Sequence, residues 1–577
     1  MTFLKIPMAK VAWLICAGWM QFCVPGLISA QDSLMTLLSD ELNRELAVLQ
    51  QEAIPPYFIS YTVSDVHKTS VSASFGTLTN ASSSDSRLLM VIVRVGDYRF
   101  DNSHELRGDF FDISSFGSRN VERITRENSP EAIRMAIWRL TDQQYRQAVE
   151  QYQRAKANVA TKVAAEDTSA DFSRELEVAV FYEPTINVKA VLGDRSIWEQ
   201  KVKKYSKAFL EKKQIFGGQA SFSFSVERKY LVTSEGTRIA QNAVFAQLYI
   251  SGFIKADDGM ELPLYKSYAA SHPQDLPGDE QILMDVAAMI KKLEALRNAP
   301  LVEPYTGPAI LSGRSAAVFF HEVFGHRIEG HRQKSEEEGQ TFKDKIGQLI
   351  LPEHLQVTFD PTLRSYRGFH LVGHYQFDDE GIQSRRIAVV ENGIFKSFLM
   401  SRSPIENFPR SNGHGRAQAG YVPLSRQSNM LIESTAPLSA QQLREKLIAE
   451  CNKQGKPFGL LFQDIEGGFT ITGRDMPNVF NVIPTEVYRV YTDGRPDELV
   501  RGVDLVGTPL VMFSMISDAS DQYDVFNGIC GAESGNIPVS AMAPALLVTQ
   551  VEVQKKSKSQ ERPPILERPD IRRIFKK

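Results

Sequence analysis

The sequence predicts an α+β protein of two domains. Three observations carry that expectation. Segments 220–233 and 243–254 alternate apolar and polar residues, as antiparallel strands with one wet face do. Segments of helical period stand beside them at 34–51, 131–163, 194–213 and 278–296. Beyond Asn298-Ala299-Pro300 the texture changes to short strands around hairpin signals. The expected architecture is an N-terminal α+β domain with an antiparallel sheet, 31–300, and a mostly antiparallel β C-terminal domain, 301–554.

The opening helix rests on Leu37, Leu38, Leu42, Leu46 and Leu49. Strands are expected at 57–63, 70–75 and 88–95. The polar stretch from Glu131 on has neither Gly nor Pro and reads as a long helix. With 194–213 it makes a helical insertion near 131–211. The helix at 278–296 has Ile282, Leu283, Val286, Ile290 and Leu293 on one side. In the second domain, Glu391-Asn392-Gly393 and Thr492-Asp493-Gly494 each sit between strand-like runs, as hairpin turns do. A helix is expected at 438–452 and a last strand at 545–553.

Composition narrows the function classes. With 577 residues and 42% hydrophobic, the chain builds real cores and is not disordered throughout. No internal apolar run reaches the ~18 residues of a membrane helix, so no transmembrane span is expected once the leader is removed. A net charge of −3 argues against nucleic acid as a partner held by bulk electrostatics. Residues 1–30 read as a signal peptide: Lys5 and Lys10, an apolar core at 11–22, then Pro25-Gly26 and Ile28-Ser29-Ala30 before Gln31. That predicts a periplasmic or secreted protein. The tail 555–577 holds nine Lys/Arg against three Asp/Glu and reads as basic and flexible. After the leader only Cys451 and Cys530 remain, too few for a disulfide framework.

The chemistry concentrates at 315–331, SAAVFFHEVFGHRIEGH. An apolar helical run delivers His321, Glu322 and His326. Two imidazoles beside a carboxylate make a zinc site with a proton acceptor, so a bound Zn2+ is expected on this helix. The i,i+5 spacing turns the two histidines ~140° apart on a regular helix. A wider turn or a break must bring them together. A single π-type turn would serve, with Gly325 weakening the helix there. A catalytic zinc takes three protein ligands. The third is open among His331, Glu329, His414 in a glycine loop, and Cys530 between Gly528 and Gly531 in another expected loop.

These residues resemble the TldD/PmbA family of metallopeptidases. The segments SGRSAAVFFHEVFGH (312–326), FDDEG (377–381), SNGHGR (411–416) and NGICGAESGNIPVS (527–540) follow the family's order. The first domain is similar more loosely, at ASFG (73–76) and VRVGDYRFDN (93–102). The resemblance implies that His321, His326 and Cys530 bind zinc and that Glu322 is the general base. It implies a peptidase that hydrolyses peptide bonds of short or unfolded peptides through a zinc-activated water. It also implies a homodimer, or a heterodimer with a related subunit. Subunits that have lost the His/Glu/Cys set exist in the family, and the full set here matches the active kind. The leader departs from the familiar cytoplasmic members. The rival readings are a non-catalytic assembly subunit and an envelope-associated scaffold, with a structural zinc.

Overall fold

The computed structural model describes residues 32–106, 120–161, 167–335, 338–470, 472–473 and 480–556. The leader and most of the basic tail lie outside these. Among the described residues no helix is long and apolar enough to cross a membrane.

The first half is one seven-stranded sheet. Its order is Val121–Ile124, Thr77–Val95, Pro56–Ser74, Ile215–Thr233 and Arg238–Lys255. Both Glu261–Ala270 and the short Val180–Tyr182 pair with the last. All neighbours are antiparallel except Val180–Tyr182. The first two expected strands are one 19-residue strand. Its hairpin partner begins at Thr77, well before the expected start at 88. Periodicity misses 77–86 because this Ser/Asn-rich end is wet; backbone pairing, not burial, makes it a strand.

Helices cover one face of this sheet in two patches. Ser33–Leu49, capped by Asp32, and Pro130–Thr161 bury leucines and isoleucines against Ile59, Tyr61, Val63, Leu89 and Val91. At the other end of the same strands, Arg195–Lys207 and Asp279–Asn298 cover Val71, Ala73, Phe222 and Phe224. There the Trp198 indole stacks on Phe222, centroids 3.7 Å apart. Nineteen-residue strands are long enough for two helix pairs side by side, so the helices at 130–161 and 195–207 are both integral to the face they cover.

The second half is an eleven-stranded sheet. Its order runs from the hairpin Ile387–Glu391/Ile394–Phe395 through Leu355–Phe359, Asn429–Ser434, Gly535–Lys555, Val503–Gly507, Phe480–Tyr491 and Phe458–Thr470 to Tyr305–Leu311. Gly535–Lys555 also pairs with Tyr305–Leu311, so five strands close into a ring. Ile516–Ala532 extends the sheet beside Gly535–Lys555. The expected hairpins are present; Asn392 (φ 49°) and Gly393 (φ 73°) make the left-handed turn that Asn-Gly favours. The α+β class holds. The second sheet is mostly antiparallel, as expected, with two parallel pairings among its strands. Residues 429–431 run parallel to 540–542, and 309–311 parallel to 460–462. Short alternating segments look alike in either direction, and it is tertiary packing that sets the direction.

The two halves meet across charged contacts. Lys229 of the first sheet pairs with Asp379, and Arg402 pairs with Glu235 at 2.7 Å while donating to the Ser173 carbonyl at 2.6 Å. The FDDEG segment lies here. Asp378 accepts the backbone N–H of Ile382 and of Gly415, so the segment braces two loops.

Candidate metal centre

Tyr305–Leu311 leads at Ser312 into the helix Gly313–Val323. Ser312 caps it by accepting the Ser315 N–H at 3.2 Å. From Ser315 to Val323 every residue is buried, with Phe319 and Phe320 fully so. A helix apolar on all sides belongs in a core. It is enclosed mainly by Gly535–Lys555, Phe458–Thr470 and Ile516–Ala532.

The helix breaks after Val323. Phe324 has φ −112° and ψ −53°, and a 3-10 turn, Gly325–Ile328, follows. The expected π-type turn is therefore a break into a tighter helix, the other of the two routes that the spacing allowed. The break swings His326 back beside His321, ring centroids 5.0 Å apart. Gly325 has a reason beyond weak helix propensity. A Cβ there would lie 2.0 Å from the Gln427 Oε1. Gln427 is buried, and its Nε2 donates to the His321 carbonyl at 3.3 Å.

Cys530 completes the cluster. One donor atom each from His321, His326 and Cys530 lies within 4.8 Å of the others, all buried. The His326 Nε2 is 3.4 Å from the Cys530 Sγ. Cys530 is not in a loop as expected: it sits in Ile516–Ala532, two residues before the hairpin where Ala532 pairs with Gly535. The flanking glycines misled the reading; this strand carries them beside the Phe526 ring and Asn536, where a Cβ would crowd. Glu322 adjoins His321 in the last helical turn and is 7% exposed.

The other candidates stand outside the cluster. Glu329 is fully buried, and its carboxylate faces the His326 Nδ1 at 3.4 Å, the position of an orienting partner. Burial opposes its charge, but His326 and Arg332 hold its pKa below the ordinary value. His331 offers no ligand atom to the cluster. Burial and Arg332 push its pKa down to about 4, and its ring nitrogens have no hydrogen-bond partner among the described residues. His414 is a satisfied core histidine, with Nδ1 3.1 Å from the Asn412 Oδ1 and Nε2 3.1 Å from the Ser428 Oγ. Burial pushes its pKa down to about 3.

The electrostatics suit a cation. Burial alone would raise the Cys530 thiol pKa; His326 and His321 outweigh it and hold it well below its ordinary value. Burial would likewise lower His326, yet Cys530 and Glu329 hold it well above. Cys530 is thus held toward its thiolate form and His326 toward its protonated form, and a divalent ion bound there would displace the proton between them. Two nitrogens and a thiolate sulfur, one histidine backed by a carboxylate, fit zinc. Sequence reading missed Arg426, whose fully buried guanidinium donates to the Cys530 Sγ at 3.2 Å and to its carbonyl at 2.8 Å. Its only sequence signal is a polar run, Ser425 to Asn429, in an otherwise apolar stretch.

Residues 304–555 match the PmbA/TldA metallopeptidase C-terminal domain. A metalloprotease of Methanocaldococcus jannaschii is 23% identical over 320 residues, 55% of this chain and 66% of its own. A metalloprotease TldD homolog of Haemophilus influenzae is 26% identical over 279 residues, 47% and 54% of the two chains. A zinc metalloprotease TldD homolog of Saccharolobus solfataricus is 25% identical over 256 residues, 43% and 51%. The chain thus spans from about half to two thirds of the length of these relatives. In fold it is similar to the crystal structure of TldE from Thermococcus kodakarensis, with TM-score 0.58, 14% identity, and 90% of this chain and 100% of that one covered. Residues 304–555 thus match the family's C-terminal metallopeptidase domain, and the chain is similar to TldD relatives in sequence and to TldE in fold.

Proposed function

We propose that the chain is a zinc-dependent peptidase acting on short or unfolded peptides, with His321, His326 and Cys530 as metal ligands and Glu322 as general base. The observation that carries this reading is the convergence of donors from one broken helix and from a strand about 200 residues later, within 4.8 Å. When bound, the cation supplies Lewis acidity toward water and the scissile carbonyl. Glu322, beside His321, accepts the proton of the attacking water and delivers it to the leaving amine. Glu329 holds the His326 Nδ1 and leaves Nε2 to bind. The burial of all three ligands keeps bulk water off the reacting atoms.

The reading includes export to the periplasm or medium, supported by the leader, and assembly as a homodimer or with a related subunit. Relatives named TldD and a structure named TldE support that partnership. The test is metal content and peptide hydrolysis of the purified chain beside two variants. Cys530→Ala is expected to lose most of the metal. Glu322→Gln is expected to keep it and lose about 10²–10⁴-fold in turnover. Full metal in the first, or unchanged turnover in the second, removes that residue from its role.

A further inference from the structure

We propose that Arg426 is a positioning residue of the metal centre: its guanidinium draws charge from the Cys530 sulfur and, with Glu329, ties two of the three ligands into one buried ring. The inference rests on the metal-centre reading above and deepens it.

The ring closes atom by atom. The Arg426 Nη2 donates to the Cys530 Sγ at 3.2 Å, and its Nε faces the Glu329 Oε1 at 3.5 Å. Glu329 stands 3.4 Å from the His326 Nδ1, and the His326 Nε2 stands 3.4 Å from the Cys530 Sγ. Arg426 and Glu329 are both fully buried. The same guanidinium also fastens the hairpin that carries Cys530: Nη1 donates to the Ser534 Oγ at 2.8 Å and to the Gly535 carbonyl at 3.0 Å. A planar fork serves the sulfur and the hairpin oxygens at once, where an ammonium serves one direction at a time.

Charge explains why such a group stands there. Burying an arginine is costly unless it is paired, and Glu329 alone does not use the face turned to sulfur. A thiolate pushes more electron density onto a bound cation than an imidazole does. A donor on the sulfur withdraws part of it and leaves the cation more acidic toward its remaining ligand, in the way that groups around a blue-copper sulfur tune the metal. Arg426 touches no reacting atom and acts through Cys530. A purely structural role, as a hairpin fastener, predicts lost stability with no change at the sulfur.

The probe is cobalt(II) chloride added to the full chain, reading the near-ultraviolet thiolate-to-cobalt charge-transfer band. The wild type is expected to show the band. In Arg426→Gln it moves to longer wavelength, because sulfur electrons without the donor are easier to transfer. Arg426→Lys keeps the buried charge and serves where the Gln variant does not fold; it is expected to shift the band the same way by less. A folded, cobalt-loaded variant with the band at the wild-type wavelength overturns this inference and leaves the metal centre standing. A wild type with no charge-transfer band overturns the metal centre and this inference with it.

Discussion

Gly325→Ala forces a methyl group into the Gln427 carboxamide. The new Cβ would lie 2.0 Å from Oε1, 2.3 Å from Cδ and 2.5 Å from Nε2. In an open site a glutamine swings away at little cost. Gln427 is 1% exposed, so it moves only by displacing neighbours. It also gives up its hydrogen bond to the His321 carbonyl. Overpacking costs about 1–3 kcal/mol and the lost bond about 1 kcal/mol more, so Gly325→Ala is expected to destabilise by about 2–4 kcal/mol. Gln427→Ala alone loses the bond and leaves a small cavity, about 1–3 kcal/mol. The double variant has no carboxamide to clash with. It is therefore expected to be more stable than the sum of the single effects predicts, by about 2–4 kcal/mol. Urea denaturation followed by circular dichroism on the four proteins measures this. Additivity of the two changes within about 0.5 kcal/mol would refute the clash as the reason for a glycine at 325.

Two further outcomes are expected. His414→Asn should keep full metal, since His414 lies between Asn412 and Ser428 and outside the cluster. Its folded pKa of about 3 lies below the usual value near 6.5, so only the unfolded chain takes up its proton between them. The stability it contributes is present above about pH 6.5 and falls on acidification, by up to about 1.4 kcal/mol per pH unit. The wild-type-minus-variant difference in urea stability should therefore shrink from pH 6.5 toward 4, and a flat difference refutes the buried neutral histidine. Cys451→Ser should leave metal and turnover nearly unchanged, because Cys451 packs among Leu443, Leu447 and Val490 and is not disulfide-bonded to Cys530. A 451–530 linked peptide in non-reducing maps of active protein would overturn this.

What the sequence made legible follows from the range of each interaction. His321 and His326 are near neighbours, and their spacing alone demanded the break that Phe324 provides. The helix at 279–298 and the strands at 215–255 were readable because each buries one face in a regular period. The strand start at Thr77 was not, because its serines bury nothing. Choosing Cys530 over His331 needed the family resemblance, since no local pattern says which distant residue returns to the helix. Arg426 and Gln427 were invisible for the same reason. They act on a side chain and a backbone carbonyl about 100 residues away, and a buried arginine looks like a surface one until its partners are known.

The closed ring of five strands has a consequence for how the chain gains stability. His326 and Cys530 are 204 positions apart, on a helical turn that follows one ring strand and on a strand paired with another. An ion held by both is a cross-link that fastens a loop of that length, as a disulfide would. In the chain-entropy account, a loop of this size removes about 5 kcal/mol of freedom from the denatured chain when the link persists on unfolding. A metal link does not persist, because the unfolded chain keeps only the local histidine pair. The ion instead stabilises the native state by mass action, so the melting temperature should climb with free zinc and fall with a chelator.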